Sequence, residues 1–255
     1  MSTFNNLPKP FQSADVMFYY ELLQKKKVSL ILKRVFDFTV SLLMLVIISP
    51  ILLVIGILIR LDSKGAAVFK QERITRYGRS FYIYKFRTMY TGSERGSQVT
   101  LKNDRRVTRI GKFLRKYRLD ELLQLVNILK GDMSFVGTRP EVKKYVNLYT
   151  DRMYATLLLP AGVTSLASIE YKDEDTLLAS ADNSDETYVN EILPEKMRYN
   201  LEYIEKFNFF FDLKIMFMTV SAVFGKDSAA NKETGENADV NVNANEKRDE
   251  VKINV

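Results

Sequence analysis

Between Phe38 and Ile59 the chain runs for 22 residues without a charged side chain, and this run restricts its folding more than any other feature. As helix it would be roughly 33 Å long, about the thickness of a bilayer's hydrocarbon core. It begins far from the N-terminus and no small-residue cleavage pattern follows before charged sequence resumes, so it is expected to stay in the mature protein rather than act as a signal peptide. Two details set it apart from a plain span. Ser49-Pro50 lies at its centre, where Pro removes a backbone donor and kinks a helix. Both flanks are basic, with Lys25, Lys26, Lys27, Lys33 and Arg34 upstream and Arg60, Lys64, Lys70, Arg73, Arg76 and Arg79 downstream. Basic flanks favour the cytoplasmic side. A helix that dips in and returns satisfies both flanks, while a straight span with a tolerated Pro satisfies the length, and the residues alone leave the two open.

The absence of Cys and His narrows the chemistry. Disulfides, thiolate metal sites, His-ligated zinc and the Ser-His-Asp and Cys-His nucleophile systems are excluded, which leaves carboxylates, Lys, Arg and Tyr. The net charge is +7, and the last thirty residues carry more acids than bases, so the remainder is more basic still. Such an excess suits an anionic partner: nucleic acid, anionic lipid or a phosphate-bearing substrate.

Along the rest of the chain, residues 1–30 read as an N-terminal arm with a short apolar and aromatic patch from Val16 to Leu23. Residues 31–65 hold the membrane segment and its flanks, 66–225 the main folded part with amphipathic, potentially interfacial helices, and 226–255 a tail whose composition predicts disorder. Ala66 to Arg87 predicts a hairpin about Tyr77-Gly78, with Phe81 and Ile83 on one face and Tyr82 and Tyr84 on the other. After a Gly/Ser/Thr-rich loop at 90–101, the stretch "NDRRVTRIGKFLRKYRLDELLQLVNILKG" reads as one helix stopped at Gly131. A short strand then leads to a loop presenting Arg139, an acidic loop follows from Glu170 to Glu186, and Pro194 opens a helix running toward Phe211. Phe209 to Phe224 is too short to span comfortably and reads as a buried or interfacial helix.

Asp120-Glu121 is a carboxylate pair within a strongly basic stretch, directly after Arg115, Lys116 and Arg118. Nearby cations would keep an attacking carboxylate ionised, and a second carboxylate could hold Mg²⁺ against substrate phosphates or move a proton. Most such pairs, taken singly, are solvated or paired with neighbouring Lys and Arg. There is no P-loop or dinucleotide fingerprint, so phosphate would fall to arginines, with Arg87, Arg105, Arg106, Arg115 and Arg139 as candidates.

Read together, "KRVFDFTVSLLMLVIISP", "FKQERITRYGRSFYIYKFRTM", "NDRRVTRIGKFLRKYRLDELLQLVNILKGDMSFVGTRPE" and "LPAGVTSLA" resemble, in order and spacing, the bacterial sugar transferases, also called monotopic phosphoglycosyl transferases. The resemblance covers roughly Lys33 to Phe224. It implies a membrane-associated, monotopic α+β fold with a re-entrant helix broken at Ser49-Pro50, interfacial amphipathic helices and a small β element, and it places Lys33 and Arg34 at lipid headgroups. It further implies transfer of a phosphosugar from a UDP-sugar to polyprenyl phosphate at the cytoplasmic face of a bacterial membrane, releasing UMP. Asp120 would be the nucleophile and Glu121 its Mg²⁺-linked partner; Arg87, Arg115 and Arg139 would bind substrate. Bacterial membrane lipids are the other implied partner, nucleic acid is not one, and homodimerisation is left open. Thr138 and Leu123 stand where many members have Pro, and Ser165 where Gly is frequent. A non-enzymatic, basic, membrane-surface protein is the competing reading.

Overall fold

A computed structural model describes residues 3–92, 104–171 and 183–222. The expected tail, the 93–101 part of the Gly/Ser/Thr-rich loop and most of the acidic loop lie outside them. Contacts divide the chain into Met1–Ile215 and Met216–Val255; the first unit carries everything that follows except the later turns of the last helix.

Helix α1 (Ala14–Gln24) is capped by Ser13, whose side chain accepts from Val16 N, and buries Val16, Tyr19 and Leu23 at helical spacing. Ahead of it, Phe11 sets its ring edge-on against Tyr77 and Tyr154. The arm is thereby pinned to the body at both ends.

Helix α2 (Lys27–Asp62) takes in the whole uncharged run and stays helical through Pro50, so the break expected at Ser49-Pro50 does not interrupt it. Pro50 cannot donate to the carbonyl of Val46, and Ser49 Oγ donates to that carbonyl instead, at 2.9 Å. Among the described residues it is the one helix long and apolar enough to cross a membrane. Lys33, Asp37, Ser41, Leu45, Ile48, Leu52, Ile55 and Ile59 recur every three or four residues, which puts them on one stripe that faces the protein. The other faces are exposed and apolar, Ile47 at 73% and Leu53 at 67%, an unbroken patch of the kind that marks a membrane or partner surface.

Strands β1 (Val68–Ile74) and β2 (Ser80–Phe86) form the expected antiparallel hairpin, with Lys70 opposite Tyr84 and Ile74 opposite Ser80. Phe81 and Ile83 are buried and Tyr82 is exposed, as their alternation predicts. The open edge of β2 is closed by a side chain. Tyr84 N donates to Asn127 Oδ1 at 3.0 Å and Asn127 Nδ2 donates to Tyr82 O at 2.8 Å, so a buried amide does the work of a neighbouring strand.

The long helix expected from Asp104 onward is two helices. α3 (Arg109–Lys116) ends at Tyr117, Arg118 turns left-handed at φ 54°, and the 3-10 turn Leu119–Glu121 precedes α4 (Gln124–Lys130). A left-handed Arg cannot continue a helix, and the turn it opens presents the carboxylate pair. Gly131, at φ 84°, ends α4 as expected.

Strand β3 (Met133–Val136) pairs in parallel with β4 (Ala161–Thr164). Their extension brings Gly137 and Gly162 so close that a Cβ on Gly162 would sit 2.2 Å from Gly137 N. Beyond β3 come α5 (Lys143–Val146), a 3-10 stretch (Asp151–Leu158), α6 (Leu166–Glu170), α7 (Ser184–Thr187), a π-helical turn (Tyr188–Ile192) and α8 (Leu193–Lys206). The helix opened near Pro194 does not run on to Phe211. It stops at Lys206, and Asn208 caps a new helix, α9 (209–222), accepting from Phe211 N at 3.0 Å. The result is a mixed helical and stranded body around two apolar clusters, each of which takes residues from α2.

Candidate active site

Asp120 and Glu121 sit half-buried on the turn between α3 and α4. Leu119 and Leu123, on either side of the pair, join the cluster formed by Leu52, Ile55 and Ile59 of α2 with Phe86 and Leu114. The carboxylates therefore stand beside the second half of the apolar helix.

Lys85, on β2, reaches the pair from the side, its Nζ 2.8 Å from Glu121 Oε1. The same oxygen lies 3.7 Å from Arg139 Nη2. Burial pushes the Glu121 carboxyl up, but the Lys85 ammonium and the Arg139 guanidinium outweigh it and hold it down at about 2. Asp120 moves the other way. Burial, reinforced by the Glu121 charge, raises it above the ordinary aspartate value against the pull of Lys85 and Arg115. Two adjacent carboxyls thus differ in character, Glu121 fixed as an anion and Asp120 the more basic of the two. That difference suits a pair in which one member holds charge and the other reacts.

Arg115 is oriented by Thr88, to whose Oγ1 its Nε donates at 2.8 Å, and its charge acts on Asp120. Arg139 and Arg115 are therefore brought to the carboxylates. Arg106 is paired with Asp104 at 2.6 Å, and Arg105 is exposed.

Two expected site residues, Arg87 and Lys33, are placed elsewhere, while Arg34 stays exposed. Arg87 is 7% exposed and its guanidinium donates to Ser63 O at 2.7 Å, Ser63 Oγ at 2.9 Å and Lys64 O at 2.9 Å. It closes the carbonyl end of α2 instead of facing phosphate, because the last carbonyls of a helix need donors. Gly65 makes room for it, since a Cβ there would lie 2.2 Å from Arg87 Nη1. Arg34 closes α4 in the same way, donating to Ile128 O at 2.8 Å and Leu129 O at 2.9 Å. Lys33 is 4% exposed and paired with Asp212 at 2.6 Å, inside the protein.

Lys85 is the site residue that sequence reasoning passed over. Its one signal is its place within "SFYIYKF", where a single cation falls among apolar and aromatic residues of the strand.

Among the described residues no group of three or more carboxylates is placed to hold a metal. The ionised Glu121 beside Asp120 does fit Mg²⁺ in its usual mode of one or two carboxylates plus phosphate oxygens from the substrate.

An apolar helix laid along a small α+β body, with two carboxylates among cations at its side, defines a carboxylate-centred site built next to an exposed apolar surface. Residues 28–226 match the bacterial sugar transferase family, and the chain belongs to it. It is 38% identical over 209 residues to a UDP-glucose:undecaprenyl-phosphate glucose-1-phosphate transferase of Klebsiella pneumoniae, covering 79% of this chain and 42% of that protein. It is 35% identical over 198 residues to a UDP-N-acetylgalactosamine-undecaprenyl-phosphate N-acetylgalactosaminephosphotransferase of Aeromonas hydrophila, covering 75% and 43%. A third relative, an uncharacterized sugar transferase EpsL of Bacillus subtilis, is 35% identical over 195 residues, covering 76% and 88%. The chain thus spans less than half the length of the first two and most of the third.

The three departures from the family pattern have physical accounts. Thr138 is buried, its carbonyl accepts from Gly162 N at 2.9 Å and its hydroxyl donates to Thr156 O at 3.4 Å, so hydrogen bonds restrain the loop where a Pro ring otherwise would. Leu123 packs into the cluster against α2. Ser165, at φ −152°, needs no glycine and caps α6 by accepting from Ser168 N.

Proposed function

We propose that this protein is a sugar-phosphate transferase that moves a phosphosugar from a UDP-sugar to polyprenyl phosphate at the cytoplasmic face of the bacterial membrane. The observation that carries the reading is the Asp120-Glu121 pair held among Lys85, Arg115 and Arg139 beside the apolar ridge of α2.

In the first step an Asp120 carboxylate oxygen attacks the β-phosphorus of the UDP-sugar. An O–P bond forms, the bond from that phosphorus to the oxygen bridging it to the α-phosphate breaks, and UMP leaves with the electron pair. In the second step a polyprenyl-phosphate oxygen attacks the same phosphorus and Asp120 departs as carboxylate. Arg139 and Arg115 neutralise phosphate charge as it moves. Glu121 would hold Mg²⁺, whose charge would shield the donor's phosphates when it is bound. Splitting the exchange in two lets one site serve a water-soluble donor and a lipid acceptor in turn. Purified protein in nanodiscs, given Mg²⁺, undecaprenyl phosphate and a panel of UDP-sugars, is expected to release UMP from at least one donor; release from none would sink the reading.

The raised Asp120 carboxyl gives a pH expectation. Below its pKa the group is protonated and cannot attack, so the acid limb of the rate lies above the usual aspartate value of about 4. Glu121, ionised throughout, adds nothing to that limb. Lys85→Met removes a charge that lowers Asp120, so the limb should move to higher pH. A limb that stays in place in the variant would remove Lys85 from the site's electrostatics.

Re-entry of α2 is the membrane arrangement we adopt. Its first turns are fastened by Lys33 to Val136 O and by Arg34 to α4, and its last by Arg87 and by Ile110 N, which donates to Asp62 Oδ2 at 3.0 Å. A helix crossing from one aqueous side to the other would separate anchors that belong to one body. The chain has no native Cys, so Lys25→Cys and Lys64→Cys each give a single thiol, and neither should react with an impermeant maleimide added outside intact cells. Reaction of one of the two would establish a span.

A further inference from the structure

In the loop that follows β3, Gly137, Thr138, Pro140 and Glu141 are buried and only Arg139 is exposed. Its backbone is held on both sides, by Gly137 N to Thr164 O at 3.0 Å, Gly162 N to Thr138 O at 2.9 Å, and Ile74 N to Glu141 O at 2.9 Å. The Glu141 side chain is buried and meets residues from a distant part of the chain. Tyr188 Oη donates to Glu141 Oε1 at 2.6 Å, and Lys196 Nζ lies 3.8 Å from that oxygen and 3.4 Å from Tyr188 Oη. The Glu141 and Lys196 side chains are 8% and 6% exposed.

Burying a carboxylate and an ammonium together is no efficient way to stabilise a fold, since apolar side chains of similar volume commonly do as well or better. What such a network does supply is direction. Tyr188 opens the π-helical turn, and its ring packs 4.6 Å from Tyr145 on α5, just beyond Glu141. Tyr145 Oη in turn donates to Asp185 Oδ1 at 2.7 Å, and Lys144 pairs with the same carboxylate. The segment from α7 into α8 is thereby bolted to Glu141, Lys144 and Tyr145, on the C-terminal side of Arg139.

We infer that Glu141, Tyr188 and Lys196 form a positioning lock that fixes Arg139 over Glu121 and so sets how well the donor's phosphates are bound. This rests on the phosphate-binding reading of Arg139 given above. Glu141, Tyr188 and Lys196 touch no substrate; they act through Arg139.

Tyr188→Phe keeps the ring and its stacking and removes only the hydroxyl. In that variant, amide hydrogen exchange across residues 137–142 should accelerate while the rest of the body exchanges as before. The KM for the UDP-sugar should rise on the order of tenfold, with kcat and the KM for polyprenyl phosphate unchanged. In an Arg139→Ala background the same substitution should no longer change the donor KM, because the residue it positions is gone. Unchanged exchange over 137–142 would overturn the inference, and so would a donor KM effect of full size in the Arg139→Ala background. If wild type releases no UMP from any donor, the proposed reaction fails, while the exchange measurement still decides whether Tyr188 holds the loop.

Discussion

Asp120→Asn should lower phosphosugar transfer by roughly 10³-fold or more, with no loss of folding or membrane association. Asn has the shape of Asp and keeps its polar surface, but its amide oxygen is too poor a nucleophile to open the diphosphate. The substitution should not unfold the turn, because Asp120 is destabilised by burial and by the Glu121 charge, and a neutral group relieves both. The decisive reading is the intact mass of the protein after incubation with a UDP-sugar and no acceptor. Wild type is expected to gain the mass of one phosphosugar and the variant none. A variant that turns over at more than a tenth of the wild-type rate would take the nucleophile away from Asp120.

The local elements were legible where one residue decides the backbone. Tyr77-Gly78 closes the hairpin and Gly131 ends α4, both at positive φ, which is why turn chemistry alone located them. The break at Arg118 was not legible, because Arg carries no turn signal and the left-handed geometry follows from how α3 and α4 dock on α2. Asn127 could not be read as an edge cap, since its partners Tyr82 and Tyr84 stand more than forty residues away. In the site, the carboxylate pair and Arg139 emerged from their motif, but the roles of the other cations did not. Arg34, Arg87 and Lys33 have the same charge and length as residues that meet phosphate, and only the fold shows that each is spent on carbonyls or a buried carboxylate. Lys85 was overlooked for the converse reason: a cation on the strand face of Phe81 and Ile83 has no evident partner until Glu121 is brought to it.

Lys33 carries the other large expectation, and it separates two roles that a basic residue at the start of a membrane helix can have. Its ammonium donates to Asp212 Oδ2 at 2.6 Å and to Val136 O at 2.7 Å, tying α2 to β3 and to the first turn of α9. Asp212 Oδ1 accepts from Tyr203 of α8 at 2.7 Å, and Asp37, one turn along α2, accepts from Phe135 N at 3.2 Å. Lys33→Met would leave both buried carboxylates without their cation, and breaking a buried pair from one side typically costs about 3–5 kcal/mol. For a body of this size that corresponds to a fall in melting temperature of roughly 6–20 °C. The chain lacks Trp, so circular dichroism of the detergent-solubilised protein is the suitable measurement. Adding Asp212→Leu should restore part of the loss, because it removes one of the two stranded charges. A headgroup-binding Lys33 would behave differently, with Lys33→Met weakening attachment to anionic vesicles and leaving the melting temperature within about 2 °C. That second outcome would mean that the Lys33–Asp212 pair contributes little, and that something other than this buried charge holds the first turns of α2 against the body.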